Sequence, residues 1–133
     1  PLIVKPPRST RFPTNTNQLA LNIDICPTIL DVCGDIPGVR VQGQSLRSPK
    51  NRSAFYYEHL FDHPSIVKSE GVRTESYKYI RYLLGETVHE CLYDLINDPF
   101  ELNNLGLEAV SDDTLKNVRM VFDTQKRNAT QPV

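Results

Sequence analysis

The chain has 133 residues, 39% of them apolar and 23% charged, with a formal net charge of -1. That composition suits a globular chain and excludes a disordered one. The near-zero charge gives no field that would gather nucleic acid or anionic lipid. No run of about 18 apolar residues occurs, so no membrane-spanning helix is expected.

Pro1-Leu-Ile-Val-Lys5 opens with apolar β-formers and has no features of a signal peptide. It reads as a short buried strand. Such a strand needs a partner, and a chain cut from a larger protein is the expectation. Residues 6–18 form a polar, Pro-rich loop without periodicity. Asp24 then stands as a helix N-cap, with Pro27 in the first turn and Gly34 at the C-terminal stop. Ile25, Ile29, Leu30, Val32 and Cys33 give that helix an apolar face. Residues 34–53 are loop again.

From Ala54 the pattern turns to strands. Residues 54–60, 71–76, 77–84 and 90–95 are expected as four short neighbours, with 85–89 as a connection. Close succession makes an antiparallel sheet the economical arrangement. In the third strand Tyr77, Tyr79, Arg81 and Leu83 share one face, and Lys78, Ile80, Tyr82 and Leu84 the other. Asp98-Pro-Phe-Glu101 has the form of a capping box opening a short helix. A final helix is expected from about Asp112 to Arg127, capped by Ser111, with a stripe of Leu115, Val118, Val121 and Phe122.

Cys26, Cys33 and Cys91 match no zinc spacing and read as buried free thiols. Cys26 and Cys33 on one helix would stand about 10 Å apart along its axis, too far for a disulfide. The cysteines therefore do not fix the compartment. No nucleotide-binding, metalloprotease or Ser-hydrolase motif is present. His59 and His63 lie four apart, but the preceding Phe55-Tyr-Tyr57 favours a strand entering a loop, where they need not converge on a metal. His63, before Pro64 in a chain reversal, is the better functional candidate, since function concentrates on loops. Lys68 lies within five residues of it, and the pair could meet one anionic ligand. Arg73 belongs to a basic and aromatic cluster with Lys78, Arg81 and nearby tyrosines, suited to a sulfated or phosphorylated sugar. Lys78 and Arg81 themselves read as charges on the solvated outer face of the sheet.

Asn22-Ile-Asp-Ile-Cys-Pro-Thr-Ile-Leu-Asp-Val-Cys-Gly34 resembles the N-I-D-x-x-P-T-L-L-D-x-x-G helix of sulfatases in the alkaline-phosphatase-like superfamily. Gln42-Gly-Gln-Ser-Leu46 resembles the segment that follows it. Phe55-Tyr-Tyr-Glu-His59, Glu70-Gly-Val-Arg-Thr-Glu-Ser-Tyr-Lys-Tyr-Ile80, Leu92-Tyr-Asp-Leu-Ile-Asn-Asp-Pro99 and Asn103-Asn-Leu105 resemble the family's C-terminal subdomain. The likeness runs through nearly all of residues 1–107; residues 108–133 rest on pattern alone.

The pattern sums to an α+β class, a four-stranded antiparallel sheet with a C-terminal covering helix, and the resemblance implies that the preceding strand and helix are a remnant of an alkaline-phosphatase-like α/β domain. Residues 1–50 would end that α/β domain, and 51–133 would form the C-terminal subdomain. It further implies a sulfuric ester hydrolase whose formylglycine and Ca²⁺ ligands lie outside this segment. Cys26 has Leu30 where that motif requires Arg, and Cys33 and Cys91 fail as well. The chain alone is thus expected to be inactive, with no catalytic residue and no metal of its own. Its implied partners are the remainder of the catalytic domain and a sulfated carbohydrate. The stretch 59–68 is most similar to bacterial glycan sulfatases of the N-acetylglucosamine-6-sulfatase kind. His63 and Lys68, then His59 and Arg73, are the candidate sugar contacts.

The family suggests a periplasmic or secreted location, while an oligomer stays open. Two rivals remain: a stand-alone glycan-binding or structural module, and part of a related phosphatase or phosphodiesterase. The second is disfavoured by Asn22 and by the lack of any His before position 59.

Overall fold

A computed structural model describes residues 3–6, 8, 11–12, 19–34, 41–48, 50–108 and 110–131. Most of the Pro-rich loop expected over 6–18, and the Pro37-Gly38 and Pro49 positions of the next loop, lie outside the described residues. The chain divides into two compact units, one from Pro1 to Arg52 with the last two residues, the other from Ser53 to Gln131.

In the first unit a 3-10 turn, Asn22–Asp24, runs into helix α1, Ile25–Cys33. Gly34 closes α1 with φ 82°, the left-handed geometry that glycine adopts without strain. Asp24 holds the N-cap position of α1 as expected, but not by side-chain capping. Its backbone is already helical and its side chain makes no cap bond. The carboxylate is fully buried and is drawn instead to Arg52, whose two terminal nitrogens donate at 2.7 Å each. A bidentate cation is a stronger partner than a free helical N–H.

The backbone N–H groups of Leu21 and Gln44 complete its shell at 2.8 and 2.9 Å. Residues 43–47 lie stapled along α1: Ser45 donates to Asp31 at 2.6 Å, and the Leu46 N–H donates to the Thr28 hydroxyl at 2.9 Å. Gly43 is required here, because a Cβ would stand 2.0 Å from the Ile23 carbonyl oxygen.

The strand expected over 1–5 is not seen in its described part. Residues 3–5 have no regular structure, and the Ile3 side chain is 87% exposed. No described strand runs beside it to pair its backbone. Cys26 and Cys33 are also exposed rather than buried; of the three cysteines Cys91 alone is buried.

The second unit is an antiparallel sheet in the order β1 (Ala54–His59), β2 (Ser69–Thr74), β3 (Tyr77–Leu84), β4 (Thr87–Asp94), covered by α2 (Asp112–Thr130). Because paired residues share a face, the register defines rows across the sheet. Tyr56, Val72, Tyr79 and Leu92 form one row under α2, where Val118 and Phe122 complete the core. The ring of Phe122 lies 5.6 Å from that of Tyr79 and 5.9 Å from that of Tyr56.

Next to this apolar row runs a charged one, Glu58–Glu70–Arg81–Glu90. The buried Glu70 accepts from Lys126 of α2 at 2.5 Å and is ion-paired with Arg81 at 3.3 Å, so helix and sheet are joined by charge as well as by packing. Arg81 therefore sits on the helix side, over the Phe122 ring at 5.3 Å, and not on a solvated outer face. Charge pairing with Glu70 and the aromatic face explain the difference.

Ser111 accepts from the Thr114 N–H and caps α2, which runs three residues past the expected Arg127 to Thr130. Two other expectations change. The link between β3 and β4 is only Gly85-Glu86, with Gly85 at φ 62°; Thr87 to His89 belong to β4 because Leu84 pairs directly with Thr87. No helix starts at Asp98. The Glu101 N–H closes a turn on the Asp98 carbonyl at 3.1 Å, and Glu101 takes φ 57°. Its carboxylate leaves the capping position to pair with Lys78 and, at 4.0 Å, with Arg73.

The chain beyond it then fastens the outer edge of β4. Leu92 donates to the Asn104 side chain at 3.0 Å and accepts from the Leu105 N–H at 2.9 Å.

Candidate functional site: the loop between the first two sheet strands

The sheet face away from α2 carries three rows: Phe55–Arg73–Lys78–Tyr93, Tyr57–Gly71–Ile80–Cys91 and His59–Ser69–Tyr82–His89. The last row borders residues 60–68, the loop joining β1 and β2. Both ends of that loop are fixed: His59 pairs with Ser69, and the Lys68 carbonyl accepts from the Leu83 N–H at 2.8 Å. Within it, His63 and Ile66 form an isolated bridge, and Ser65 N–H donates to His63 Nδ1 at 3.1 Å. With Nδ1 accepting, the neutral imidazole carries its proton on Nε2 and offers a donor outward.

His63 and Lys68 line the same open depression of about 470 Å³, bounded by Ile66 and by Leu83 to Gly85 of the neighbouring hairpin. Two side chains with N–H donors, one of them cationic, thus border one open depression. Lys68 is paired at 2.6 Å with Asp62, which is 91% exposed.

His59 stands at the foot of this loop on the open face, its ring edge-on to Phe61 at 6.5 Å. Its Nε2 is buried and has no hydrogen-bond partner among the described residues. Arg73 lies elsewhere. It is five residues along β2 from Lys68, about 16 Å at the rise of a strand, and its charge faces Glu101. Three of the four expected sugar contacts therefore gather at one end of the sheet, and Arg73 does not join them.

Beside Arg73, Tyr57 packs its ring over Gly71, and burial pushes its hydroxyl well above the usual tyrosine range. Sequence reasoning missed Asp62 as the partner of Lys68 and Phe61 as an exposed ring of the same loop. The adjacency of an acid and an aromatic to His63 was the available signal. Among the described residues no three His, Cys, Asp or Glu side chains converge to hold a metal, and no helix is long and apolar enough to cross a membrane.

A four-stranded antiparallel sheet with one covering C-terminal helix is the architecture of the C-terminal domain of sulfatases of known structure. The chain belongs to the family described as N-sulphoglucosamine sulphohydrolase, C-terminal, whose model matches residues 1–128. That match includes most of α2. The chain is similar, at 29% identity over 96% of its length, to an N-acetylglucosamine-6-O-sulfatase of Bacteroides thetaiotaomicron. At 33% identity over 80% of its length it is similar to arylsulfatase K of Canis lupus familiaris.

Among solved structures it is similar to BT4656 in complex with its substrate D-glucosamine-2-N,6-O-disulfate, with a TM-score of 0.69 and 26% identity over 79% of this chain. A 2-O GAG sulfatase matches with a TM-score of 0.66 and 27% identity over 80%. The chain spans about a quarter of the length of these relatives (25%, 22%, 23% and 25%).

Proposed function

We propose that this chain is the C-terminal part of a sulfuric ester hydrolase acting on a sulfated glycan, and that it supplies substrate contacts and no nucleophile. The observation that carries the reading is the convergence of His63 and Lys68 on one depression. The glucosamine disulfate bound to the similar structure supports the ligand class. In this reading Lys68 takes a sulfate or sugar oxygen through a charge-assisted bond, His63 donates from Nε2, and His59 offers its unpartnered nitrogen at the loop's foot. Arg73 acts by pairing with Glu101, not by touching sugar.

The Ca²⁺ and formylglycine implied by the family do not fit the residues present. Cys26 sits in α1 without the following Arg, and no ligand cluster exists among the described residues. No catalytic step is derived through either group. The first unit reads as the end of an α/β domain, with Ile25 (39% exposed) and Ile29 (58%) awaiting cover from the rest of that domain.

In the complete sulfatase, His63→Ala and Lys68→Ala should each raise KM for D-glucosamine-2-N,6-O-disulfate about tenfold or more, with kcat little changed. The isolated chain should not turn over p-nitrocatechol sulfate. Turnover by the isolated chain that depends on His63 or Lys68 would overturn the reading.

A further inference from the structure

Resting on that reading of the loop, we infer that Asp62 is a built-in competitor for the substrate's anion, occupying in the free protein the position on Lys68 that a sulfate takes. Four observations carry it. The Asp62 carboxylate lies 2.6 Å from Lys68 Nζ and is 91% exposed, so it is held by Lys68 alone among the contacts of the described residues. Lys68 is half-exposed and lines the depression, and its backbone is tied to Leu83, so its stem starts from a fixed point beside that space whichever anion it meets. His63, next in sequence to Asp62, is fixed independently by Ser65 and Ile66 and does not need the ion pair for its position. Glu70, the acid nearest to Lys68 in sequence, is committed to Lys126 and Arg81.

An exposed pair of this kind is worth little, so an incoming sulfate can exchange with the carboxylate at small cost. The exchange is selective. A sulfated sugar replaces one anion by another, whereas a neutral sugar would leave the ammonium without a counter-charge. Asp62 thereby makes binding depend on the ligand carrying its own negative group.

The test is the full-length enzyme assayed on D-glucosamine-2-N,6-O-disulfate. Asp62→Asn should lower KM about two- to fivefold, the range set by an exposed ion pair, and leave kcat unchanged. In a Lys68→Ala background the same substitution should have no effect. Competitive inhibition by N-acetylglucosamine, a neutral unsulfated sugar, should strengthen in Asp62→Asn relative to the parent. An unchanged or raised KM in Asp62→Asn, with Lys68→Ala still harmful, would overturn the inference and leave the reading of the loop intact. A Lys68→Ala enzyme with unaltered KM would instead remove the reading itself. Thermal unfolding of each variant, expected within a degree or two of the parent for an exposed pair, separates these outcomes from misfolding.

Discussion

Arg52 grips Asp24 with two 2.7 Å contacts, and the carboxylate between them has no exposure to solvent. The pair is 28 residues apart in the chain and ties the segment after the 43–47 staple back to the start of α1. Burial would raise the Asp24 pKa, but the Arg52 side chain and the Gln44 and Leu21 N–H groups together hold it below the ordinary value.

Breaking that grip should be costly, since removing one partner strands a buried charge. Arg52→Ala should lose about 3–5 kcal/mol of stability in the first unit. Hydrogen exchange at α1 and urea unfolding measure it. Full protection of α1 in the variant would refute the assignment.

The same pair sets a pH dependence. Because the folded Asp24 holds its proton less tightly than the unfolded chain does, its contribution is complete above the unfolded value near 3.8. It is lost as pH falls from there through the lower folded value. Asp94, whose carboxylate accepts from Asn97 and Ile96, is lowered too and acts with the same sign. Urea midpoints between pH 6 and pH 2.5 should decline mainly below about pH 4, and Asp24→Asn should flatten the acid limb. A decline centred above pH 5 would point to other groups.

Gly43→Ala places a methyl group against the Ile23 carbonyl, where nothing flexible can yield. A loss of about 2–3 kcal/mol is expected, read as a lowered Tm. Gly34→Ala serves as the contrast: its Cβ meets nothing, and the cost is only that of the left-handed φ of 82°, about 1 kcal/mol.

Phe122→Ala removes the ring that Tyr56, Tyr79 and Arg81 pack against. It should cost about 3–5 kcal/mol and free α2 from the sheet. Far-UV circular dichroism with a protease-sensitivity assay at α2 checks this. Phe100→Ala, at 81% exposure, should be close to neutral in the same assays.

The sheet and α2 were legible because period-two and period-3.6 patterns are local. Tyr77 to Leu84 and the Leu115–Val118–Phe122 stripe each announce a buried face within a few residues. At two positions a distant charge overrides the local signal. Asp24 looks like a cap until Arg52 arrives, and Glu101 looks like the fourth position of a capping box until Lys78 and Arg73 take its carboxylate. At the loop, the spacing of His63 and Lys68 suggested convergence. The Asp62 contact did not stand out, since an i, i+6 pairing arises only once the chain reverses at Pro64.

The loop's two anchors, His59 opposite Ser69 and Lys68 bonded to Leu83, keep the register whatever lies between them. Residues 60–67 are consequently an exchangeable insert on a rigid frame. On the proposed reading of the loop, a transplanted loop of different length between the same anchors would alter which sugar is met while Tyr56, Val72 and Tyr79 stay under α2. Ligand choice and foldability would then rest on separate stretches of this chain and could change independently.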